Sequence, residues 1–446
     1  MASPLPADAA PSPGELSTPV RKKLAERGAF LRKLTGAVAV QAMLSAANFT
    51  VGLMLVRRTT DMQYGYYVLV TTAVLFATTL QGAFIQPPMI IRLTHADAAG
   101  RANLIGGLYR DQRRLSPYAL VVAVILAMAL YFAGHLTRQV AGIIAVGTLA
   151  VMAALNREFL RMVLFAYRRP NDVIPSDFVY CLFLVSGAFL ATLAPLPATV
   201  AASTLAIACI VGGWLLSRAL WRFEPWNRQA PEGALREIAP QGSWSAFGGI
   251  SHWLFSQGYN YVVTGYLDVT AVAALAATRL LVMPVGLLST GIGTLLLPTT
   301  SKWNRDHLPT VVLRRLALVS TGLAIAVSGY LLVTWLARDW IFDHILKKHF
   351  EHRDLLLALW CAIAVITVYR DQLLHFLSAR AKFRSTSTLT FASALLSFTV
   401  SFVAMQSLGA AGALVGLLAG ELVNVLGIVV MAIREARAAT VAPQAH

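Results

Sequence analysis

The chain of 446 residues is 57% hydrophobic and only 13% charged, with a mean hydropathy of +0.64. Soluble proteins carry about 25% charged residues, so this composition excludes an ordinary soluble protein and indicates an integral membrane protein. The formal net charge is +16, but the basic residues are spread over many loops, so no nucleic-acid partner is expected. The three cysteines lie singly in apolar segments and predict neither a disulfide nor a metal site.

Apolar runs of about 20 residues, enough to cross a hydrocarbon core of roughly 30 Å, recur along the chain. They predict an all-α membrane protein with twelve spans. The predicted spans are residues 34–56, 65–90, 116–134, 139–165, 176–195, 199–221, 243–267, 270–298, 316–336, 355–379, 386–406 and 410–433. Residues 1–33 are expected to form a disordered cytoplasmic tail, because their beginning is polar and rich in Pro and Ala. They lack the basic segment and cleavage site of a signal peptide, so the first helix is expected to stay in the mature protein.

Lysine and arginine alternate between the loops. They are frequent in both tails and after the even-numbered spans, and they are rare after most odd-numbered spans. By the positive-inside rule both termini are predicted to be cytoplasmic. The loop at residues 338–354 is an exception in which basic and acidic residues balance. The predicted units are residues 34–221, a cytoplasmic linker at 222–242, residues 243–433 and a cytoplasmic tail at 434–446.

Two polar segments repeat in register. Residues 155–170, LNREFLRMVLFAYRRP, are matched later in the chain by residues 368–383, VYRDQLLHFLSARAKF, and we call the separation between positions 155 and 368 the repeat offset. Arg157 falls on Arg370, and Glu158 falls on Asp371. An Arg–acid pair that recurs inside two apolar segments indicates a duplication. The two halves of six spans then form parallel repeats, a plan found in transporters that bind their substrate between the halves.

The repeated arginines lie deep in their spans. Arg157 is eleven residues from Arg168, about 16 Å along a helix, which places it near the bilayer centre. An arginine there costs about 2.5–3.5 kcal/mol on insertion, so it should face the protein interior. One interpretation is that each Arg–acid pair is a salt bridge that only joins the halves. The other is a binding cavity, in which Arg161 and His375 provide polar groups beyond the two pairs and the positive excess suits an anion.

Other polar residues fall on single helix faces. Span one carries a polar stripe through Asn48, and span seven carries one through His252, Ser256 and Asn260; either helix packing or a shared cleft explains them. Pro87 and Pro88 near the end of span two, and Pro284 and Pro298 in span eight, are expected to kink or end these helices. The candidate substrate-binding residues are Asn48, Arg157, Arg161, Arg279, Arg370 and His375. The candidate charge-pair or ion-coupling residues are Glu158, Asp371 and Glu421, although packing against Ser or Thr explains Glu421 equally well.

Several local motifs, together with the predicted architecture, carry a resemblance to a known family. They are Val56-Arg57 followed by Gly65-Tyr66-Tyr67, the end of span two from Gln86-Pro87 to Arg92, and Pro298. With them the chain resembles the multidrug/oligosaccharidyl-lipid/polysaccharide exporter (MOP) superfamily, specifically its polysaccharide-export (Wzx-type) flippases with a MATE-like fold. The small-Leu-Gly element usual between the first two motifs is replaced here by Arg58-Thr59-Thr60.

The resemblance implies a function. A Wzx-type protein would flip an undecaprenyl-pyrophosphate-linked oligosaccharide from the cytoplasmic to the periplasmic leaflet of the bacterial inner membrane by alternating access. The implied energy source is a proton or sodium gradient, with no bound cofactor. The implied partners are the lipid-linked oligosaccharide and membrane lipids, with a polysaccharide polymerase and glycosyltransferases as further candidates. Arginine is well suited to bidentate phosphate contacts.

Three alternatives remain open from the sequence. A drug/cation antiporter of the same superfamily should have an acidic residue in span one, where this chain has Asn48. The lipid II flippase branch shares a cationic cavity but usually has more spans. A non-transporting scaffold for polysaccharide enzymes would use the Arg–acid pairs for packing alone. An enzyme is not expected, because the sequence contains no nucleophile–base motif and no Walker A motif.

Overall fold

The computed structural model describes residues 40–134 and 136–441, and within these ranges all regular structure is helical. The predicted N-terminal tail, residues 1–33, and residues 442–446 lie outside the described residues. The helices of the first half are α1 Val40–Arg58, α2 Asp61–His95, α3 Ala98–Phe132, α4 Arg138–Ala166, α5 Pro170–Ala191 and α6 Pro197–Phe223. The helices of the second half are α7 Ala234–Gln257, α8 Tyr259–Tyr266, α9 Val269–Leu280, α10 Met283–Asp306, α11 Pro309–Leu336, α12 Arg338–Trp340, α13 Arg353–Ala379, α14 Phe383–Leu408 and α15 Ala410–Val441, with a π-helical turn at Ile341–Leu346.

Each predicted span overlaps one helix or two consecutive helices, but two boundaries differ clearly. Helix α3 begins at Ala98, well before predicted span three, and α7 begins at Ala234, inside the predicted linker at 222–242. Nine described helices are long and apolar enough to cross a membrane, and a tenth span results if the bent pair α9–α10 is counted as one. Helices α7, α8 and α13 are not among them. The chain is therefore a multi-pass, all-helical membrane protein. The number twelve and the cytoplasmic position of the termini stay predictions.

Predicted spans seven and eight are not continuous helices. Span seven is divided at Gly258 into α7 and α8. Span eight is divided after Leu280, and its two parts meet at a bend of 56°. Pro284 occupies the first turn of α10, where proline is well tolerated because its missing N–H has no intrahelical partner. The helix break expected near Pro284 is confirmed, whereas α2 continues through Pro87 and Pro88 and α10 continues through Pro298, so these three prolines do not end their helices.

The duplication is visible in the backbone. Helix α4 ends at Ala166 and α13 at Ala379, while α6 begins at Pro197 and α15 at Ala410, so both pairs of positions are separated by the repeat offset. The corners that follow α4 and α13 also match. Arg168 and Ala381, separated by the same offset, both adopt the left-handed conformation, with φ of 57° and 55°. L-residues rarely adopt this conformation, so its recurrence indicates the same helix-ending turn in both halves.

Each half has an apolar core, and a third apolar cluster joins the halves at one end of the molecule. The halves also meet elsewhere, since Arg92 of α2 pairs with Glu237 of α7. Phe159 and Leu216 are buried in the first half, and Phe376 and Ala432 in the second. A third cluster combines residues of α1, α4 and α6 with residues of α9, α13 and the π-helical turn. At this joined end the ammonium of Lys348 lies 2.6 Å from the carboxylate of Asp61. The joined end therefore holds the halves together by apolar packing and by an ion pair.

Candidate functional site

Two adjoining cavities lie where the halves meet, the first between the halves and the second largely within the second half. The first has a volume of about 410 Å³ and is lined by α1, α2, α5 and α6 of the first half and by α7–α10 of the second. The second has a volume of about 450 Å³ and is lined mainly by α7, α10, α13 and α15. Both cavities are lined by Leu75, Gln257, Arg279 and Met283. We call the two cavities together the central cleft.

Arg279 lies where the two cavities meet. It is in the last turn of α9, directly before the bend, and its guanidinium donates to Gln257 Oε1 at 2.8 Å and to the Tyr259 hydroxyl at 3.3 Å. The guanidinium carbon also lies 5.3 Å from the centre of the Trp360 ring. In the described part of the chain no carboxylate pairs with Arg279. Its charge is thus held by neutral partners, beside the kind of helix break at which transporters bind ligands.

The second half places a charged cluster on the wall of the second cavity. Arg370 on α13 donates to Glu421 on α15 at 2.5 Å and to the neighbouring Asp371 at 2.8 Å. The Arg370–Asp371 pair expected from the sequence is confirmed. Glu421 accepts hydrogen bonds both from Arg370 and from the hydroxyl of Thr367, so contact with a threonine explains only part of its environment. Two carboxylates share one guanidinium, so this cluster does not have the positive excess that the sequence indicated.

In the first half, the partners of the charged residues differ more strongly from those predicted from the sequence. Arg157 is buried, and it pairs with Asp177 on α5 rather than with its neighbour Glu158. Arg161, expected to be in excess, lies 3.2 Å from Asp177 and 3.3 Å from Glu158. The Arg157 guanidinium also stacks 3.9 Å from the centre of the Tyr180 ring. This cluster of two arginines and two carboxylates is balanced, so the expected surplus of positive charge is wrong here too.

The structure separates the predicted site residues into two groups. The residues that line the central cleft are Asn48, Arg279, Arg370, Asp371 and Glu421. The residues that do not line it are Arg157, Glu158, Arg161 and His375. Tyr180 lines the first cavity and stacks on Arg157, which does not line it. His375 on α13 faces α10, where a Cβ built on Gly293 would lie 2.9 Å from its Nε2.

The two polar stripes face the cleft. Asn48 and Asn260 line the first cavity, and His252 and Ser256 line the second. Formally, the cleft lining contains two arginines, Arg279 and Arg370, and two carboxylates, Asp371 and Glu421. Its charge is balanced when His252 is neutral, but the charges are unevenly placed. The carboxylates lie at Arg370, and Arg279 has none.

Sequence reasoning missed two polar residues that the structure makes important. Asp177 lies at the edge of predicted span five, so it was not counted as intramembrane, although α5 begins seven residues earlier at Pro170. Gln257 directly follows Ser256 of the polar stripe, and this adjacency was the available signal. Among the described residues, no group of three or more His, Cys, Asp or Glu side chains has an arrangement that could hold a metal ion.

Comparison of the sequence with protein-family models and with curated proteins gives no match. Solved structures do match. The inward-facing structure of a multidrug resistance MATE family transporter of the MOP superfamily superposes with a TM-score of 0.71 over 89% of this chain and 95% of that chain, at 12% identity. The chain has the MOP transporter fold.

Other proteins with the MOP fold match similarly. The inward closed structure of the lipid II flippase MurJ gives a TM-score of 0.69 over 88% of this chain and 86% of that chain, at 10% identity. The outward-facing structure of a multidrug resistance MATE transporter gives 0.61 over 92% of this chain and 96% of that chain, at 13% identity. The match thus includes both a drug transporter and a lipid flippase, and the MOP fold by itself does not assign a substrate.

Proposed function

We propose that this protein flips an undecaprenyl-pyrophosphate-linked oligosaccharide from the cytoplasmic to the periplasmic leaflet of the bacterial inner membrane, for export of a surface polysaccharide. The proposal is supported by the MOP fold and by a cleft between two repeated halves. In this function the polar headgroup passes through the central cleft while the lipid chain remains in the bilayer. Glycosyltransferases that build the oligosaccharide and a polymerase that consumes it are the expected partners.

The observation that carries the proposal is Arg279. Its guanidinium faces both cavities, is held by the neutral groups of Gln257 and Tyr259, and pairs with no carboxylate of the described chain. An arginine fork held by neutral groups keeps its charge available for a pyrophosphate, and charge-assisted hydrogen bonds to phosphate are about twice as strong as neutral ones. Arg279 also lies beside the bend between α9 and α10, and discontinuous helices of this kind form the binding sites of many transporters.

The Arg370 cluster has a different role in this proposal. Asp371 is 36% exposed at its side chain and Glu421 only 6%, and both contact the same guanidinium. A proton or a sodium ion that binds one carboxylate would weaken its hold on Arg370 and would alter the contact between α13 and α15. We therefore assign ion coupling to Asp371 and Glu421, and substrate binding to Arg279 and Asn48.

Drug or cation antiport is the second candidate, because the second cavity is lined by two carboxylates and the fold matches MATE transporters. Against it, both carboxylates are already neutralised in part by Arg370, and span one contributes Asn48 to the first cavity in place of an acid. A cation entering the cleft would also meet Arg279. The scaffold alternative explains neither the cavity volume nor an arginine left without a carboxylate inside it.

The test is complementation of a deletion strain. We expect deletion to cause lipid-linked oligosaccharide to accumulate facing the cytoplasm, and the wild-type gene to reverse this. Arg279→Gln should lose most flipping at normal protein level, while Arg279→Lys should retain part of it because the charge remains. Arg434→Ala, an exposed arginine outside the cleft, is the control. Full flipping by Arg279→Gln, or a deletion phenotype limited to drug sensitivity, would refute the proposal.

A further inference from the structure

A separate basic cavity lies at the corner between α5 and α6, outside the central cleft. Its volume is about 480 Å³, and its lining includes Arg169, Asn171, Asp172, Arg218 and Arg222. Arg218 and Arg222 are exposed, so the cavity is open to the surroundings of the protein. Arg169 belongs to the loop after predicted span four, and Arg222 belongs to the loop after predicted span six. The charge pattern predicts both loops to be cytoplasmic.

The charges in this cavity are not balanced. Arg169 pairs with Asp172, and its guanidinium lies 4.0 Å from the centre of the Phe223 ring. In the part of the chain that the structure describes, Arg218 and Arg222 pair with no carboxylate. They are four residues apart on α6 and therefore share a helix face, where like charges repel each other. Three arginines against one carboxylate leave an excess positive charge that an anion would neutralise.

The second half of the protein shows what occupies the equivalent place there. The repeat offset carries Arg169 onto Lys382 and Arg222 onto Glu435. The carboxylate of Glu435 lies 2.9 Å from Lys382 and 3.0 Å from Arg380. The second half thus closes this corner with an internal carboxylate. The first half has a cation at the same position and leaves the corner open.

We propose that the cavity formed by Arg169, Arg218 and Arg222 binds the phosphate group of an anionic membrane lipid, which takes the place that Glu435 fills in the second half. Arginine forks match phosphate oxygens in geometry and charge. The lipid, rather than free phosphate, is favoured by the aromatic residues beside the site. Trp214 and Trp221 are 57% and 38% exposed on the same helix, and exposed tryptophans are enriched at the membrane–water interface.

Basic pockets between helices on the cytoplasmic side are suited to anionic headgroups in general. The site is distinct from the central cleft, because the cavities have no lining residue in common. The proposal therefore does not rest on the transport function. It is tested by lipid binding alone.

The experiment measures the Tm and the lipid-bound fraction, by native mass spectrometry, of the full chain purified in detergent. Short-chain phosphatidylglycerol, phosphatidylcholine and sodium phosphate are titrated at equal ionic strength. We expect phosphatidylglycerol to bind and to raise the Tm, and the other two to have little effect. Removing each arginine should weaken binding on the order of tenfold, so Arg218→Ala with Arg222→Ala should lose most of the Tm shift.

Arg315→Ala is the matched control, because Arg315 also lies beside a tryptophan, 5.5 Å from the ring of Trp303, and lines no part of this cavity. It should keep the full response to phosphatidylglycerol. An equal response of the wild type and the double variant would overturn the site. A Tm shift produced in full by sodium phosphate would overturn the lipid as its ligand.

A second variant covers the case in which the double variant does not fold. Arg222→Glu recreates in the first half the arrangement of Glu435 with Lys382. It should raise the Tm in lipid-free detergent and should abolish the response to phosphatidylglycerol. A wild-type response of Arg222→Glu to phosphatidylglycerol would contradict the proposal.

Discussion

Arg157 and Arg370 are buried at equivalent positions of the two halves, yet their carboxylate partners come from helices that are not equivalent. Asp177 on α5 neutralises Arg157, whereas Glu421 on α15 neutralises Arg370. The positions that correspond to these acids in the opposite halves are Thr390 and Ala208. The duplication thus preserved the arginine and not its partner. Only the second cluster lines the central cleft, so the two buried arginines have different tasks.

We predict a structural role for Asp177. Asp177→Asn removes the carboxylate from two arginines, Arg157 and Arg161, while it keeps the size of the side chain. Breaking a buried ion pair costs about 3–5 kcal/mol because a charge remains without a partner. The expected result is a lower Tm in detergent and a lower yield of folded protein.

The control for this prediction is Glu237→Gln, which breaks the exposed pair with Arg92. That pair should contribute less than about 1 kcal/mol. Equal Tm values for the two variants would show that Asp177 is not needed to neutralise the first cluster.

We predict that Gln257→Glu impairs transport of an anionic headgroup through the cleft. Gln257 Oε1 lies 2.8 Å from the Arg279 guanidinium, so a carboxylate of the same size would neutralise Arg279. Transport of an anionic headgroup should fall at least about tenfold, since roughly 1.4 kcal/mol of lost charge interaction is sufficient for this. Flipping is measured in the complementation assay, with Gln229→Glu in the exposed linker as the control. Undiminished flipping by Gln257→Glu would argue that Arg279 does not contact the substrate.

We predict that Lys348 and Asp61 hold the joined end of the halves closed. The Lys348 ammonium contacts the Asp61 carboxylate at 2.6 Å and the Thr59 carbonyl at 2.9 Å. Lys348→Ala should shift the protein toward a state that is open at this end, by about fivefold for a loss of roughly 1 kcal/mol. The measurement is labelling of Asn48→Cys by an impermeant thiol reagent from the side that the charge pattern predicts to be periplasmic, in a background without Cys181, Cys209 and Cys361.

Lys302→Ala, an exposed lysine without an ion pair in the described chain, should not change this labelling. Exchange of the two charges, Lys348→Asp with Asp61→Lys, should restore the slow wild-type rate. Rapid labelling of the exchanged variant would mean that the ion pair itself does not close this end.

We predict that Gly212 is needed for close packing of α6 on α4. A Cβ at this position would lie 3.0 Å from Arg157 Nε and 3.3 Å from Ser176 Oγ. Gly212→Ala should therefore displace Arg157 from Asp177 and lower the Tm. Gly142→Ala is the matched control within a helix, because nothing lies within 4 Å of its Cβ. Alanine at position 142 should be neutral or favourable, by up to about 1 kcal/mol. An unchanged Tm for Gly212→Ala would indicate that α6 can move away from α4 without loss of stability.

Several features of this protein follow from its sequence alone. Apolar runs of spanning length predicted its helices, since a bilayer leaves a backbone few alternatives. The in-register repeat of the two polar segments predicted the duplication, and the similar φ angles of Arg168 and Ala381 agree with it. Arg279, Asn48 and Glu421 were singled out because polar groups in apolar helices must find polar surroundings, and all three line the central cleft.

The partners of the charged residues were decided only by the tertiary structure. Helical spacing relates Arg157 to Glu158 and Arg161, but it does not state which neighbouring helix approaches. Glycines 212 and 213 on α6 admit α4 closely, and the first turns of α5 bring Asp177 to both arginines. The expected positive excess was therefore wrong at Arg161. Within the central cleft, the arginine that pairs with no carboxylate of the described residues is Arg279. A sequence determines which charges must be buried, whereas helix packing determines which of them remain available to a ligand.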